Sequence, residues 1–363
     1  MAAPFRVAII GGGYAGYALA RHLDPHLDVT LIEAREAFVH NVGAIRAMAE
    51  PGIIPQLLYP YGRLLRRGRV VRGRAEAMDG SGVTLRDGQH IAADAIVIAT
   101  GSGYAAPFKP QGDSAADFAA LLAETATQLR AANSIVIVGA GAVGVELAGE
   151  IKAAHPGKRV DLVSDQPRLF PPYRPELHDR LVARLSALGV GLHLGAAATG
   201  LARTDAPHDG EIRLANGTTL AGLIVPAIGA RVNPGPAHGL PGAVARANGQ
   251  VQVDGWLRPS LLPNIFAIGD LAATGDGMTV VATMRQAPWL AKALRALAQG
   301  KMVESLAPYT PWLLAPILLP LGPKSGASVL PIGASGLVVG DWLTSQIKGK
   351  ALFIPRYRKE FGL

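Results

Sequence analysis

The apolar residues of this chain occur mainly in short continuous runs and seldom alternate with polar residues. The runs at 6–10 (RVAII) and 134–138 (SIVIV) are rich in β-branched residues, and a glycine-rich turn follows each. Two further runs, at 94–101 (DAIVIATG) and 222–229 (GLIVPAIG), also end in glycine. Continuous runs of this kind are typical of strands buried on both faces of a parallel sheet. The pattern therefore predicts an α/β fold.

Two longer segments have apolar residues at helical spacing. Residues 114–133 (SAADFAALLAETATQLRAAN) predict a helix that connects two larger units. From about Met284 to Gly300, apolar residues at positions 287, 290, 291, 294 and 297 recur every three or four residues. That spacing predicts an amphipathic helix with one buried face.

The chain contains an internal duplication. Each of the first two apolar runs leads into the pattern G-x-G-x-x-G, at Gly11, Gly13 and Gly16 and again at Gly139, Gly141 and Gly144. The interval from Gly11 to Gly101 is 90 residues, and the interval from Gly139 to Gly229 is also 90 residues. Two nucleotide-binding units of one plan explain this agreement.

The glycine pattern has a physical basis in dinucleotide binding. The first glycine makes a tight turn, the second lets a pyrophosphate approach the backbone, and the third lets the helix pack close to the strand. The pyrophosphate then lies at the helix N-terminus, where free N–H groups favour an anion. Besides the six glycines, the predicted cofactor contacts around the loops and closing strands are Tyr14, Ala15, Ala99, Thr100, Gly101, Ala142, Val143 and Gly229.

The residue expected to bind a ribose distinguishes the two units. Glu33 ends the strand DVTLIE, 22 residues after Gly11, and with Ala34 and Arg35 it suits an adenosine ribose that has a free 2′-hydroxyl. In the second unit Ser164 stands at the equivalent strand end. A serine neither repels a 2′-phosphate nor binds a diol strongly. The first unit is therefore predicted to bind FAD, and the second to bind NADH or NADPH.

Composition limits the chemistry that the chain can perform. Its 363 residues are too many for one core and indicate two or more domains. The absence of cysteine excludes disulfides, thiolate metal sites and thiol catalysis. No His, Asp or Glu cluster has metal-ligand spacing, so we predict no metal site. The formal charge of +8 suits an arginine-rich surface, a phosphate-bearing cofactor, an anionic membrane or nucleic acid.

The sequence lacks the signals expected of an exported, N-myristoylated or membrane-spanning protein, which suggests an intracellular protein. The N-terminus MAAPFRVAII lacks the regions of a signal peptide, and position 2 is not the glycine that N-myristoylation requires. No run of 18 apolar residues is present to form a membrane-spanning helix. We therefore expect a protein that is either cytoplasmic or peripheral on a membrane.

Five stretches carry a family resemblance: HNVGAIRAMAE, IVIATGS, VIVGAGAVGVELAGEIK, NIFAIGD and ALFIPRYRKEFG. They resemble the two-Rossmann pyridine nucleotide:flavin oxidoreductases, in particular the apoptosis-inducing-factor-like branch that includes ferroptosis suppressor protein. In that branch a reduced nicotinamide gives hydride to FAD, and the flavin then reduces a membrane quinone such as ubiquinone or a vitamin K quinone.

The resemblance implies a division of the chain into three parts. An FAD domain at 1–110 and 252–300 is interrupted by an NAD(P)H domain at 111–251, and 301–363 form a small C-terminal α+β module. In NIFAIGD, Gly269 and Asp270 resemble the second FAD motif, whose carboxylate reaches the ribityl and pyrophosphate region. The start of the following helix, with Gln286 and Ala287, would point at the flavin pyrimidine ring.

The resemblance also suggests three catalytic residues. Glu146 would lie where nicotinamide and flavin meet, where it orients the nicotinamide or relays a proton. His40 lies with Asn41 and Val42 in a stretch that the resemblance places beside the flavin. Lys359 matches a functional lysine near the end of the chain. Because quinone reduction takes up two protons, a proton donor near the flavin is useful.

Structural interpretations of these residues stay open at this point. Glu146 is also explained as a first-turn glutamate favoured by the helix dipole. His40 could be a hydrogen-bonded loop histidine, and Lys359 a solvated lysine of the tail. Arg46 is either a structural partner or a ligand of an anionic oxygen.

The C-terminal module has two interpretations. Residues 308–331 are apolar, but their prolines exclude one long helix. They form either core against the FAD domain or a membrane-facing or quinone-lining surface. The tail after residue 336 mixes aromatic and basic side chains, which suits an anionic lipid surface or nonspecific nucleic-acid contacts. We expect peripheral membrane contact rather than nucleic-acid binding.

The leading hypothesis is an FAD-dependent NAD(P)H:quinone oxidoreductase with a small-molecule quinone as partner. One alternative is a reductase for a ferredoxin or rubredoxin, because a basic surface suits acidic partners. Another is a slow-turnover effector that senses redox state or binds nucleic acid. A disulfide reductase is excluded by the missing cysteines.

Overall fold

The computed structural model describes residues 4–363. Residues 1–3, which include the position considered for N-myristoylation, lie outside the described residues. The helices are α1 (Tyr14–Leu23), α2 (Asn41–Ala49), α3 (Ala115–Ala131), α4 (Ala142–Ala154), α5 (Pro175–Ala187), α6 (Val280–Ala298), α7 (Asp341–Thr344) and α8 (Ile354–Glu360).

The strands form several sheets whose members are widely separated in sequence. They are β1 (Arg6–Ile10), β2 (Asp28–Glu33), β3 (Ala37–Val39), β4 (Leu58–Pro60), β5 (Arg69–Arg72), β6 (Ala75–Met78), β7 (Gly82–Leu85), β8 (His90–Ala92), β9 (Ala95–Ile98), β10 (Ser102–Gly103), β11 (Ser134–Val138), β12 (Arg159–Val163), β13 (Val190–His193), β14 (Ala198–Thr199), β15 (His208–Leu214), β16 (Thr219–Pro226), β17 (Arg231–Val232), β18 (Val251–Gln252), β19 (Ile265–Ala267), β20 (Ala272–Ala273), β21 (Ile317–Pro320), β22 (Gly326–Leu330) and β23 (Leu337–Val339).

The first large sheet is parallel and has the strand order β19-β9-β1-β2-β5. Helices α1 and α6 pack on one face, and the small antiparallel sheet β6-β7-β8 packs on the other. The apolar side chains of β1 and β9 are consequently buried. Burial on both faces explains why these strands appear in the sequence as unbroken apolar runs.

The second large sheet repeats the plan of the first and extends it. Its strand order is β13-β12-β11-β16-β15-β14, in which β11, β12, β13 and β16 are parallel and β14 and β15 form an antiparallel extension. The predicted connecting helix precedes it as α3, with Ser114 as N-cap. After completing this sheet the chain returns to the first one at β19, so the α/β fold with two Rossmann-like units is confirmed.

The C-terminal module packs against the second unit. Its sheet has the order β21-β22-β23, and Leu319 and Val329 join the core formed around α4 and α5. A Cβ at Gly149 in α4 would lie only 2.4 Å from Leu321 Cα, so this glycine permits the close approach. The expectation that 308–331 packs against the FAD domain is therefore wrong for these strands, because their apolar faces cover α4.

The aromatic residues of the tail have a structural role in the first unit. Tyr357 in α8 and Phe361 just after it are buried beside Tyr17 and Phe38, and the Phe38 and Phe361 ring centroids are 5.0 Å apart. Tyr357 and Phe361 thus anchor the tail in the core of the first unit. These two aromatic residues are therefore not part of a lipid-binding or nucleic-acid-binding surface. Trp342, in contrast, is 72% exposed.

Helix α6 begins one turn earlier than the spacing of apolar residues predicts. The prediction placed its start near Met284, and the observed start is Val280. Thr279 is the N-cap, and its hydroxyl accepts a hydrogen bond from Ala282 N at 3.3 Å. A threonine oxygen satisfies one of the free N–H groups of the first turn. The shift changes which residues of α6 reach the site described next.

Candidate active site

A cavity of about 320 Å³ lies between the first glycine loop, the start of α6 and the start of α4. Parallel strands end at this edge of the first sheet, where ligands bind in folds of this type. The residues predicted from sequence that line the cavity are Gly11, Gly13, Tyr14, Ala15, Glu33, Arg35, Asn41, Val42, Ala99, Thr100, Gly101, Ala142, Val143, Glu146, Gly269 and Asp270.

The first glycine loop has the close contacts that its sequence pattern requires. Gly11 has a φ of +102°, and a Cβ there would lie 2.5 Å from Ala99 O. A Cβ at Gly16 would lie 1.8 Å from Gly11 O, so Gly16 packs α1 against the strand end and does not line the cavity. Apart from Gly13 itself and its two chain neighbours, no described residue has an atom within 4 Å of the Cβ position at Gly13. That space is left for a ligand at the N-terminus of α1.

Glu33 fixes the geometry of the loop through backbone contacts. Its Oε2 accepts a hydrogen bond from Gly12 N at 2.6 Å, and its Oε1 accepts one from Arg35 N at 2.9 Å. The Tyr61 hydroxyl donates to Gly12 O at 2.9 Å from the other side. The carboxylate is therefore held in one orientation at the cavity wall, next to the space beside Gly13.

Two further observations show that the cavity suits a dinucleotide. Oδ1 of Asn41 is buried and has no hydrogen-bond partner among residues 4–363, although buried polar atoms are normally paired. A ligand N–H or O–H in the cavity would supply the missing donor. The N-terminus of α1 supplies free N–H groups that suit a pyrophosphate. Both features fit the FAD predicted for the first unit.

Asp270 lies in a small charged cluster at the cavity. Its Oδ2 accepts a hydrogen bond from Ser102 Oγ at 2.5 Å and one from Lys109 Nζ at 3.2 Å. Lys109 also donates to Ser102 O at 3.0 Å. Ser102 and Lys109 line the cavity but were not predicted, because neither belongs to a glycine motif. Their contacts orient the carboxylate that the NIFAIGD stretch places here.

The second glycine loop copies the first in backbone geometry. Gly139 has a φ of +112°, and a Cβ at Gly144 would lie 1.9 Å from Gly139 O. Helix α4 starts at this loop and brings Ala142, Val143 and Glu146 to the cavity. The predicted residues of this unit that lie outside the cavity are Gly139, Gly141, Gly144, Ser164 and Gly229. The two dinucleotide-binding units therefore meet at the cavity through α4.

A buried ion pair occupies the cavity wall at this meeting point. Lys348 Nζ donates to both carboxylate oxygens of Glu146 at 2.7 Å and to Leu318 O at 3.1 Å. Glu146 is 4% exposed and Lys348 is 8% exposed, and both line the cavity. Burial raises the pKa of Glu146, and the Lys348 ammonium opposes that rise. An ammonium group beside a ligand cavity is a potential proton donor.

The family pattern described as pyridine nucleotide-disulphide oxidoreductase matches residues 5–288. The chain belongs to this family. Two relatives at nearly full length are apoptosis-inducing factor homolog B of Dictyostelium discoideum, 32% identical over 97% of this chain and 95% of that protein, and human ferroptosis suppressor protein 1, 28% identical over 96% and 93%. They match the apoptosis-inducing-factor-like branch that the sequence resembles.

Solved structures agree on the fold. The sulfide:quinone oxidoreductase of Aquifex aeolicus aligns with a TM-score of 0.76 at 18% identity, over 98% of this chain and 91% of that chain. A ferredoxin reductase of Rhodopseudomonas palustris aligns with a TM-score of 0.66 at 24% identity, over 85% and 78%. This pyridine nucleotide-disulphide oxidoreductase is thus an FAD- and NAD(P)H-dependent oxidoreductase. It lacks every cysteine that disulphide chemistry would use.

His40 was expected to face the cofactor, and the structure places it behind the cavity wall. The side chain is fully buried and does not line the cavity. Its Nδ1 accepts a hydrogen bond from the Tyr14 hydroxyl at 2.8 Å, and its Nε2 donates to Leu352 O at 2.7 Å. Burial lowers its pKa to about 4, so the ring is neutral. Both ring nitrogens are therefore engaged in hydrogen bonds within the protein.

Lys359 was also predicted at the site, and the structure places it elsewhere. It is exposed on α8 and lies outside the cavity. Tyr357 and Phe361 are buried in the core, and Lys359 lies on the solvent-facing side of the helix. The lysine of the C-terminal module that lines the cavity is Lys348. The sequence shows it as one of several basic residues in the tail, and only its pairing with a residue 202 positions away distinguishes it.

Three other predicted contacts lie outside the cavity. Because α6 begins at Val280, Gln286 and Ala287 fall in its second turn and face the core. Oε1 of Gln286 accepts a hydrogen bond from Gly269 N at 2.7 Å, so Gln286 supports the loop before Asp270. The helix residues at the cavity are instead Thr279, Val280 and Thr283. Ala34 also lies outside, since Glu33 takes the position facing the cavity.

Arg46 proves to be a structural partner. Its guanidinium group binds both carboxylate oxygens of Glu150 at 2.8 Å and donates to Gly349 O at 2.6 Å. Arg46 and Glu150 are buried and do not line the cavity. This pair joins α2 of the first unit to α4 of the second and to the C-terminal module.

Proposed function

We propose that this chain is an NAD(P)H:quinone oxidoreductase in which Lys348 donates a proton to the quinone. The main observation in support of this proposal is the buried Lys348–Glu146 pair at the cavity wall, in which Nζ lies 2.7 Å from both carboxylate oxygens. Reduction of a quinone to a quinol consumes two electrons and two protons. NAD(P)H supplies the electrons and one proton as hydride, so one further proton is required from the protein or from water.

The composition supports an external acceptor. Since the chain has no cysteine, electrons cannot pass to an internal disulfide. When bound, FAD supplies the two-electron redox chemistry. Glu33, Asn41 and Asp270 would hold the cofactor in the cavity, and α4 would bring the nicotinamide against it through Ala142 and Val143. The role of these residues is to align the two rings and to exclude water.

Lys348 and Glu146 would work as a unit in this reaction. The Glu146 carboxylate accepts hydrogen bonds from Lys348 through both oxygens, so Nζ is held in a fixed position at the cavity before substrate enters. After transfer to a quinone oxygen, Nζ regains a proton from solvent. The enclosed position raises the strength of the interaction between the charged pair and the substrate oxygen.

Stopped-flow kinetics with separated half-reactions tests this proposal. The flavin is first reduced with NADH or NADPH, then mixed with a short-chain ubiquinone, a naphthoquinone, ferricyanide, or a ferredoxin or rubredoxin. We expect fast reoxidation by a quinone, slowed roughly 100-fold in Lys348→Met. Ferricyanide accepts electrons without a proton, so its rate should change less than about 3-fold.

Each other outcome selects a different function. Fast reoxidation by the iron–sulfur protein alone would support the reductase alternative. Slow reoxidation by every acceptor would support a redox-sensing effector. An equal loss with quinone and ferricyanide in Lys348→Met would refute the proton-donor role. Lys348→Arg is the matched control, because arginine keeps the charge but does not release a proton at neutral pH.

We also propose peripheral contact between the C-terminal module and a lipid surface. None of the helices within residues 4–363 combines the length and the apolar composition needed to cross a bilayer. Seven of the exposed large apolar side chains lie within residues 301–363, among them Leu313 at 91% and Trp342 at 72%, and an accumulation of exposed apolar side chains suits an interface. Flotation with phosphatidylglycerol vesicles should recover the protein, and Leu313→Ser/Trp342→Ser should reduce the bound fraction. Equal flotation of both proteins would refute this contact.

A further inference from the structure

The segment that carries Lys348 has an unusual backbone. Lys348 lies in a π-helical turn, Ser345–Gly349, a rare form that is frequent at functional sites. Just after this turn, Leu352 and Phe353 have positive φ values of 48° and 60°. Residues with large side chains rarely adopt this left-handed conformation, and two in succession are strained. Contacts from outside the segment are needed to hold this conformation.

His40 makes the contact at the strained turn. Its ring forms a hydrogen bond to Leu352 O at 2.7 Å through Nε2 and one to the Tyr14 hydroxyl at 2.8 Å through Nδ1. Because a carbonyl oxygen only accepts, Nε2 carries the hydrogen and Nδ1 accepts from Tyr14. Burial lowers the pKa of His40 to about 4, so the neutral ring keeps this tautomer at physiological pH.

Helix α2 therefore contacts the lysine segment at two points. His40 is the N-cap residue of α2 and holds the carbonyl of Leu352. Arg46, in the last turn of α2, donates to Gly349 O at 2.6 Å. Lys348 directly precedes the first of these anchored positions, Gly349, and its Nζ reaches Glu146 at 2.7 Å. The placement of the lysine thus depends on contacts with a helix about 300 residues earlier in the chain.

We propose that His40 is a positioning residue for Lys348. By holding the Leu352 carbonyl it fixes the left-handed turn, and the turn fixes the π-helical segment whose lysine contacts Glu146. Tyr14 on the other side of the ring lines the cavity, so one imidazole joins the cavity wall to the lysine segment. The catalytic consequence rests on the proposed proton-donor function of Lys348, whereas the positioning itself does not depend on the acceptor.

Two near-isosteric variants separate the two hydrogen bonds of His40. Gln in His40→Gln places a donor near the position of Nε2 and retains the bond to Leu352 O. Asn in His40→Asn places an acceptor near Nδ1 and retains only the bond to Tyr14. We expect His40→Asn to lower quinone turnover about 10-fold, since small misplacements of a reacting group are costly, and His40→Gln to stay within about 3-fold of wild type.

Hydrogen–deuterium exchange of the FAD-loaded protein gives a readout that needs no quinone. Backbone amides of residues 345–353 should exchange faster in His40→Asn than in His40→Gln or wild type, while the rest of α2 is unchanged. Thermal unfolding of each variant controls for a general loss of stability. Equal exchange and equal turnover in the two variants would overturn the positioning role.

A double-mutant cycle completes the test. In a Lys348→Met background, His40→Asn should cause no further loss of quinone turnover, because the group that it positions is gone. If His40→Asn lowers quinone turnover by the same factor in the Lys348→Met background as in wild type, His40 acts only as a core residue. If exchange of 345–353 rises in His40→Asn while quinone turnover is unchanged, the positioning stands and the proton-donor function of Lys348 fails.

Discussion

Helix α4 carries two buried glutamates on one face, and the structure gives them different partners. Glu146 pairs with Lys348 at the cavity wall, whereas Glu150, one turn later, pairs with Arg46 away from the cavity. Both pairs are buried and both have short contacts, of 2.7 Å and 2.8 Å. Burial and ion pairing therefore do not by themselves mark a functional site.

The difference lies in the cation and in its access to the cavity. The guanidinium of Arg46 makes two parallel bonds to Glu150 and another to Gly349 O, and arginine does not lose its proton at neutral pH. Lysine releases a proton more readily, and Lys348 is at the cavity. The Arg46–Glu150 pair thus joins α2, α4 and the C-terminal module. The Lys348–Glu146 pair is suited to proton transfer.

The largest expected effect is on stability at the Arg46–Glu150 pair. Arg46→Met leaves Glu150 as a buried charge without its partner and should reduce the free energy of unfolding by about 3–5 kcal/mol. The double variant Arg46→Met/Glu150→Met should recover most of that loss, because no charge is left unpaired. Denaturant unfolding of the three proteins measures both changes. A double variant as unstable as the single one would mean that Gly349 O, and not Glu150, is the important partner.

The next effect separates the two glutamates by activity. Glu146→Gln should lower quinone turnover roughly 100-fold, equivalent to about 2.7 kcal/mol in the activation barrier. Glu150→Gln makes the same chemical change one turn along α4 and should leave turnover within about 3-fold of wild type. Steady-state rates per mole of bound flavin check this. Similar losses in both variants would remove the functional distinction between the pairs.

A smaller effect is expected on the pH dependence of stability in Lys348→Met. Burial raises the pKa of Glu146, and Lys348 normally opposes the rise, so the variant should have a Glu146 pKa still further above its unfolded value. A carboxyl group with a raised pKa binds its proton more tightly when folded. Its stabilising contribution is then lost as pH rises through the folded pKa, by about 1.4 kcal/mol for each unit of pKa shift.

Unfolding free energies of Lys348→Met between pH 5 and pH 8 measure this loss. Lys348→Met/Glu146→Gln is the matched control, because it removes the titrating group and should lack the additional decline. If the single variant becomes more stable with rising pH than wild type does, the sign of the predicted pKa change is wrong.

The smallest effect is expected at Lys359. This lysine is exposed, so Lys359→Met should change the free energy of unfolding by less than about 0.5 kcal/mol. Quinone turnover should also stay close to that of wild type. The variant makes the same chemical change as Lys348→Met in the same tail. A large loss of turnover would show that α8 reaches the substrate in a way that the structure does not display.

Features of the site encoded by short motifs could be predicted from the sequence. The glycine loops and Glu33 follow from strand ends and residue spacing, and the cavity lies where they meet. Lys348 could not be recognised, because its partner Glu146 is 202 residues away. The position of His40 could not be recognised for the same reason, since its Nε2 donates to Leu352 O, which is 312 residues away. The start of α6, in contrast, could have been predicted correctly from the local sequence, because Thr279 is a residue type favoured at a helix N-cap.

The return of the chain to the first sheet at β19 has a consequence for biosynthesis. Strand β9 lies between β1 and β19, so its apolar edge stays open on the ribosome until residues 265–267 emerge. The second unit, which is continuous in sequence, can fold during that interval. Tyr357 and Phe361 enter the first core last of all. The nascent chain therefore carries an exposed strand edge while residues 99–264 are synthesised, a state prone to aggregation, and chaperone binding at this stage would favour correct folding.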